Sequence, residues 1–263
     1  MTTSALKREL RSACGRLVFQ SGLHRRLLRD RAYILLFHRV DDRFPGDPIT
    51  CSRREFSGYC DFVARHFTVI GLGELLRKHE AGEDLSGHLV ITFDDGYRDN
   101  RDAAAAELER RGLPACFFIA SAFIGSRTVP WWDARLPVAP AWMDWDDVRD
   151  LHARGFELGA HTMHHVDLGV VAGADAEREI VGSRERLERE TGVLTPFFSY
   201  PYGRRHQISE DNRELVRRAG FACCLSAYGG DIRPDADRFR LQRTPVSPWF
   251  TSPQHLGLEL VRG

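Results

Sequence analysis

Short apolar runs recur along the chain, and most are separated by segments that carry apolar residues at helical spacing. Within each run the apolar residues are consecutive rather than alternating, which is typical of strands buried on both faces of a parallel sheet. The predicted strands are YILLF at 33–37, FTVI at 67–70, HLVITF at 88–93, ACFFIA at 115–120, FELGA at 156–160, PFFSY at 196–200, FACCLS at 221–226 and, as a further candidate, FRLQRTPV at 239–246.

Helices are predicted between most of these strands. The predicted helical segments are 4–29, 55–66, 101–112, 145–155, 174–191 and 209–219. A glycine follows four of them, as is common at helix C-termini; these are Gly112, Gly155, Gly192 and Gly220. Strands and helices that alternate in this way predict a parallel α/β sheet. About seven strands favour a barrel, and the pattern alone also allows a doubly wound open sheet.

Length and composition agree with a single α/β domain. The chain has 263 residues, a normal length for one α/β barrel. Its formal net charge is zero, so no overall field indicates a nucleic-acid partner. None of the six cysteines forms a CxxC pair, which argues against a thiolate metal site. The first residues lack the uninterrupted apolar stretch of a signal peptide, and no run approaches a membrane span of ~20 residues, so we expect a cytoplasmic protein.

The N-terminal segment is distinct in charge. Residues 1–30 are predicted to form a basic helix, with residues 31–263 as the catalytic domain. A basic amphipathic helix can bind an anionic membrane surface, so peripheral membrane contact is one interpretation. The other interpretation is a helix packed on the outside of the domain.

Ionisable and turn-forming residues follow four of the predicted strands. Asp94 and Asp95 follow the strand at 88–93, His161 follows 156–160, Tyr202 lies just after 196–200, and His38 follows 33–37. The carboxyl ends of parallel strands gather at one mouth of the sheet, where active sites form. We therefore expect these side chains to meet.

Each of these features has a structural alternative when taken alone. An Asp-Gly pair after a strand is a common turn, and His161 and His165 could be a surface pair on a helix. Two carboxylates and two imidazoles at one mouth are jointly more specific. A site with oxygen and nitrogen ligands and no sulfur suits Zn²⁺, Co²⁺ or Ni²⁺.

These residues resemble the motifs of the polysaccharide deacetylases, the NodB-like carbohydrate esterase family 4. The family's TFDDG stands at 92–96, its H-(S/T)-x-x-H at 161–165, and its R-x-P-(F/Y)-G in part at 199–203. The resemblance spans residues 33–246. It implies a distorted (β/α)7 barrel of the NodB type and a metal-dependent hydrolase that removes an N-acetyl group from an N-acetylhexosamine-containing glycan or glycan precursor, releasing acetate.

The resemblance also implies a role for each matching residue. Asp95, His161 and His165 would hold the metal, most naturally Zn²⁺. Asp94 would be the general base, and the backbone N–H of Tyr202 would stabilise the oxyanion.

Two departures from the family pattern concern supporting residues. Ser199 stands where the family has an arginine that orients the base, and Arg240 or Arg243 is a candidate replacement. The family's general-acid histidine follows a strand near the C-terminus, whereas His255 has no such strand before it. One branch of the family carries that histidine at the N-terminal side, and LLFHRVDD fits this pattern, so His38 is the predicted acid. Members of that branch act on poly-N-acetylglucosamine or related glycans.

A tryptophan-rich loop is the candidate substrate lip. Tryptophan rings stack on sugar faces, and long loops at strand ends form binding sites. The substrate-binding candidates are Trp131, Trp132, Asp133, Pro201, Gly203, Arg240 and Arg243.

Two other functions fit the same residues. One is an O-acetyl esterase or a hydrolase of another C–N bond, and the other is a carbohydrate-binding pseudoenzyme, for which the missing arginine is the supporting feature. The acceptor and the oligomeric state stay open.

Overall fold

The computed structural model describes residues 3–262, with side chains described from residue 6 onward. The strands are β1 Ala32–Phe37, β2 Arg39–Val40, β3 Thr50–Cys51, β4 Thr68–Val69, β5 His88–Phe93, β6 Cys116–Ile119, β7 Glu157–Ala160, β8 Phe197–Ser199, β9 Cys223–Leu225 and β10 Thr244–Pro245. The α-helices are α1 Thr3–Gln20, α2 His24–Leu27, α3 Arg53–His66, α4 Leu72–Glu80, α5 Ala106–Glu109, α6 Trp145–Ala153, α7 Gly173–Thr191, α8 Glu210–Arg218 and α9 Pro253–Arg262.

Eight of the strands form one parallel sheet, in the order β10-β1-β5-β6-β7-β8-β9, with β4 beside β5. A parallel bridge joins Leu225 to Leu241, and three residues later Thr244 pairs with Leu35. The segment before β10 therefore connects the last strand back toward the first. The sheet is curled into a half-barrel, with its carboxyl ends at one mouth, and each of the eight predicted apolar runs contains a strand.

The consecutive apolar residues are explained by burial on both sides of the sheet. Every residue of β1 is buried. Tyr33, Leu35 and Phe37 belong to the core cluster shared with α3, α5 and α9. Ala32 and Ile34 point the other way, into a cluster shared with α4. A strand covered on both faces has no polar side, as the sequence pattern indicated.

Several helix predictions need correction. The single helix expected over 4–29 is two helices, because the chain turns at Gly22 with φ +77°. The helix expected over 101–112 begins as a π-helical turn at Asn100–Ala105 and continues as the short α5. Two helices were not predicted, α4 and α9, and α9 occupies the C-terminal segment that contains His255.

The N-terminal helix packs tightly on the C-terminal one. A Cβ added at Gly15 would lie 2.0 Å from the backbone oxygen of Gln254, so only glycine permits this approach. Ser12 Oγ lies 2.9 Å from Thr251 Oγ1. Phe19 is buried and packs edge-on against Phe62 of α3, with ring centroids 4.8 Å apart. No helix among residues 3–262 is long and apolar enough to cross a bilayer.

Gly15→Leu tests the close packing of α1 on α9. We expect the free energy of unfolding to fall by about 2 kcal/mol, because overpacking costs about 1–3 kcal/mol and the gain in helix propensity offsets only part of it. Ala13→Leu is the matched control, since Ala13 is exposed on the same helix. Urea denaturation measures both, and equal stability of the two variants would contradict the packing.

Candidate active site

The carboxyl ends of β1, β5 and β7 bring the predicted ionisable residues together. Asp94 and Asp95 follow β5, His161 follows β7, and His165 lies four residues further on. All four side chains are buried at the mouth of the sheet. His38 follows β1, and it is near enough to Asp94 and Asp95 for their negative charges to oppose the lowering of its pKa by burial.

The backbone at the site adopts left-handed conformations that side chains rarely take. Among the described residues five non-glycine positions have positive φ, and four of them are at the site: Asp95, Thr162, His165 and Tyr202. Such conformations cost about 1–3 kcal/mol each and persist where the surroundings over-determine them. At Asp95 the backbone has φ +79°, followed by φ +95° at Gly96. With this turn the carboxylates of both adjacent aspartates lie beside the same imidazole, 3.7 and 3.4 Å from His161 Nε2.

Three of these side chains converge on one point. Asp95 Oδ1 lies 3.4 Å from His161 Nε2 and 3.2 Å from His165 Nε2. Neither contact has hydrogen-bond geometry, so this buried oxygen is left without a hydrogen-bond partner. One ligand atom from each residue lies within 4.8 Å of the others. An unpartnered buried carboxylate oxygen facing two imidazole nitrogens fits a divalent cation.

The hydrogen bonding of His161 agrees with a metal-binding role. Its Nδ1 lies 2.8 Å from the carbonyl oxygen of Ser199. A carbonyl can only accept, so Nδ1 carries a proton, and in the neutral ring the lone pair of Nε2 is available to a metal. A metal-binding histidine is usually supported in this way, by a hydrogen bond from the ring nitrogen that does not bind the metal.

Glu179 of α7 holds the turn that carries the two histidines. Its Oε2 accepts hydrogen bonds from the backbone N–H groups of Met163 and His164, at 3.0 and 2.9 Å. The His164 ring is bonded to Oε1 of the same carboxylate at 2.7 Å. His164 is thus a supporting residue, and the sequence offered no signal for Glu179.

Arg243 donates two parallel hydrogen bonds to the carboxylate of Asp94, the predicted base. Its two terminal nitrogens lie 2.7 and 2.6 Å from the two oxygens of Asp94. The same guanidinium donates to Ser199 Oγ at 2.6 Å and to the Ser226 carbonyl at 2.9 Å. Arg243, directly before β10, therefore makes the contact with Asp94 that was expected of a replacement for the missing arginine. Of the two roles considered for Arg243, the structure favours positioning of Asp94 over substrate binding, because its side chain has no exposed surface.

The charges around Asp94 keep it ionised. Burial alone would raise the pKa of this carboxyl. The neighbouring Arg243, His161 and His38 lower the pKa by more than burial raises it, so the pKa lies below its usual value. At His38, by contrast, burial outweighs the charges of Asp95 and Asp94, so the pKa of this imidazole is lowered. Asp94 is thus a carboxylate, the form that a general base requires.

Two of the predicted substrate-binding residues have other roles. Arg240 is bonded to Glu210 at 2.7 Å and lies 3.4 Å from Asp237, so its charge is engaged at the surface, away from Asp94. Asp133 is buried and pairs with Arg39, while the Tyr97 hydroxyl donates to its second oxygen at 2.7 Å. A carboxylate without exposed surface cannot contact a sugar, so the assignment of Asp133 to the substrate lip was wrong.

Arg39 is a buried residue whose role sequence reasoning missed. Its guanidinium pairs with Asp133 and Asp47, donates to Thr50, and lies 4.8 Å from the centroid of the Tyr97 ring. It therefore ties the tryptophan loop to the end of β1. Its position directly after a strand and beside His38 was the available signal.

The tryptophan loop borders the cluster of histidines. The ring of Trp132 lies 4.6 Å from that of His165, and Trp131 Nε1 donates to the Tyr202 hydroxyl at 3.3 Å. Trp131 is 73% exposed. Pro201 and Gly203 are buried around Tyr202. The loop thus forms one wall of the mouth, with an aromatic face turned to solvent.

The comparisons with known proteins agree with this site. The family model for polysaccharide deacetylase matches residues 81–224, more than half of the chain. The chain therefore belongs to the polysaccharide deacetylase family, which acts on acetylated polysaccharides and whose members are generally metal-dependent. It is also 24% identical over 217 residues to YxkH of Bacillus subtilis (strain 168), a protein named for the polysaccharide deacetylases, covering 82% of this chain and 71% of YxkH.

Solved structures show the same fold. The deacetylase PplD of Streptococcus pyogenes, in complex with acetate, has a TM-score of 0.74 at 17% identity, over 86% of this chain and 96% of PplD. IcaB from Ammonifex degensii has a TM-score of 0.72 at 22% identity, over 88% and 97% of the two chains. These similarities confirm the predicted NodB-type fold.

Arg243→Lys tests the positioning of the base. We expect kcat for deacetylation of an acetylated oligosaccharide to fall about 10- to 100-fold with KM little changed, because lysine keeps the charge but cannot make two parallel hydrogen bonds. Arg240→Lys is the matched control and should keep wild-type kcat. Equal effects of the two substitutions would contradict the assignment.

Proposed function

We propose that this protein removes N-acetyl groups from an N-acetylhexosamine-containing glycan or glycan precursor and releases acetate. The observation that carries the proposal is the buried set Asp95, His161 and His165 beside an Asp94 that Arg243 holds ionised. A base next to a metal site is the arrangement that metal-assisted hydrolysis requires. That PplD is named a deacetylase and holds acetate adds support, through the shared fold.

Asp95, His161 and His165 would hold the metal, and Zn²⁺ suits their nitrogen and oxygen atoms. When bound there, the cation supplies Lewis acidity, which polarises the acetyl carbonyl and lowers the pKa of water. Asp94 takes the proton from the attacking water. Its Oδ2 lies 3.7 Å from His161 Nε2, so the base is beside the ligands without needing to be one of them.

Tyr202 supplies a donor for the oxyanion that forms from the acetyl carbonyl. Its backbone has φ +58°, and within residues 3–262 no acceptor takes its N–H. A preorganised N–H donor of this kind contributes about 3 kcal/mol to transition-state stabilisation.

His38 is the proposed general acid. It lies at the end of β1, where the negative charges of Asp94 and Asp95 favour its protonated form, against burial and His161, which lower its pKa. Asn100 fixes the end of this strand by donating a hydrogen bond to the His38 carbonyl at 2.6 Å. An amine leaves poorly without a proton, so an amide substrate requires such an acid more than an ester does.

Trp131 is the proposed sugar platform. Its exposed ring stands beside Tyr202, and Trp132 fills the space between it and His165. Pro201 and Gly203 shape the opposite turn. We also propose a cytoplasmic precursor as the acceptor, supported by six cysteines that are all free thiols.

The pseudoenzyme alternative loses its support in this structure. It rested on the arginine missing at Ser199, and Arg243 supplies that guanidinium.

The esterase alternative is distinguished from the N-deacetylase by the substrate that each would hydrolyse. We expect acetate release from N-acetylated chitooligosaccharides, abolished by a chelator and restored by Zn²⁺, with less from acetylated xylan. Release from xylan alone would assign the site to ester cleavage, and release that a chelator leaves unchanged would contradict the metal site.

The ligand set is tested by metal content. We expect His165→Gln to lower zinc affinity by at least about tenfold, because one of three protein ligands is lost. His164→Gln is the matched control, since this neighbouring ring faces Glu179 and is exposed. Equilibrium dialysis with zinc analysis measures the zinc affinity of both variants. A larger loss of affinity in the His164 variant would make His164, and not His165, the metal ligand.

His38→Gln tests the general acid. We expect the kcat for an N-acetylated oligosaccharide to fall about 10²- to 10⁴-fold. Hydrolysis of p-nitrophenyl acetate should fall far less, because nitrophenolate leaves without a proton. His206→Gln, at an exposed histidine, is the control. Equal losses on the two substrates would remove the acid role from His38.

A further inference from the structure

A row of exposed leucines runs along the first two helices. Between 37% and 68% of each side chain is exposed, for Leu6, Leu10, Leu17, Leu23 and Leu27, which we call the leucine face. They are five of the eleven exposed large hydrophobic residues in the described part of the chain. Single exposed leucines are common, but several on one face of a helix indicate a binding surface.

The geometry of α1 places the leucines opposite its packed side. At 3.6 residues per turn, Leu6, Leu10 and Leu17 fall within an arc of roughly 40°. Gly15 and Phe19 lie on the other side, against α9 and α3. The attachment of the helix to the domain is therefore complete without the leucine face, and that face has no partner among residues 6–262.

The charge around the leucine face is strongly positive. Residues 1–31 carry eight basic and two acidic side chains, a net charge of +6 in a chain whose total is zero. Of these cations, Arg11 pairs with Glu259 and Arg31 with Asp231. No ion pair within the described residues involves the others on α1 and α2 or just after them; they include Lys7, Arg16, Arg25, Arg26 and Arg29.

An exposed aromatic residue also lies beside α1. Trp249, 44% exposed, lies beside α1 with the Arg11 guanidinium 5.3 Å from its ring centroid. Tryptophan favours the boundary between lipid and water, where its ring is buried and its N–H stays hydrated. Arginine and lysine flanking an apolar row reach the same boundary with their charged ends.

We propose that α1 and α2 bind the surface of an anionic bilayer through the leucine face. Leucines enter the boundary of the acyl chains while the surrounding cations meet lipid phosphates, as interfacial amphipathic helices do. Each lysine or arginine near an anionic membrane contributes about fivefold to the partition coefficient. A second copy of this chain is the less suitable occupant, because two strongly positive surfaces repel each other. The proposal is independent of the reaction at the barrel mouth.

Vesicle sedimentation with the full chain tests this. We expect binding to phosphatidylcholine vesicles that contain phosphatidylglycerol, weakened at least about tenfold by high salt, and little binding to pure phosphatidylcholine. The double variant Leu10→Glu/Leu17→Glu should lose at least about tenfold in binding to the anionic vesicles. Circular dichroism and activity on a soluble oligosaccharide should be unchanged, which separates this test from that of the proposed function.

Leu194→Glu/Val170→Glu is the matched control, because both residues are exposed outside this surface. It should bind anionic vesicles like the wild type. Absence of binding to anionic vesicles at low salt, or equal binding by the two double variants, would overturn the proposal. So would a dimer in sedimentation velocity that Leu10→Glu/Leu17→Glu dissolves, since the leucine face would then belong to a second copy.

Discussion

The buried ion pair between Arg243 and Asp94 is the interaction on which the active site depends. A carboxylate with almost no exposed surface is unfavourable unless a partner charge and hydrogen bonds compensate it, and the bidentate contact supplies both. Ser199 extends this contact to the candidate metal site. Its hydroxyl accepts from Arg243 while its carbonyl accepts from His161, so one residue of β8 orients the proposed base and a proposed metal ligand together.

Much of the fold and the centre of the site could be predicted from sequence. Consecutive apolar runs identify strands that are buried on both faces, and parallel strands must deliver their following residues to one mouth. These two rules suffice to bring Asp94, Asp95 and His161 together, since each lies within two residues of the end of a strand. The spacing to His165 is local as well. Such features depend on chain geometry over a few residues, which is why no tertiary detail was needed.

Other features depend on contacts that sequence does not specify. Arg240 and Arg243 are three residues apart and chemically identical, and only the pairing of Thr244 with Leu35 brings the second one to Asp94. Asp133 stands beside two tryptophans in an apparent surface loop, but Arg39, distant in the chain, draws it inside. Glu179 supports the histidine turn from the middle of a helix, where a glutamate is ordinarily solvated. In each case a long-range partner decided the role of a residue whose local pattern was neutral.

The tie between Arg39 and Asp133 has a mechanical consequence. Arg39 directly follows His38, and Asp133 directly follows Trp132, so a single buried contact links the proposed proton donor to the aromatic wall. Tyr97 stiffens this link by bonding to both Asp133 and the Trp132 ring nitrogen. A sugar that displaces the wall must therefore strain the segment that carries His38. In the proposed mechanism, proton delivery from His38 and the fit of the substrate against the aromatic wall are therefore coupled through the protein frame.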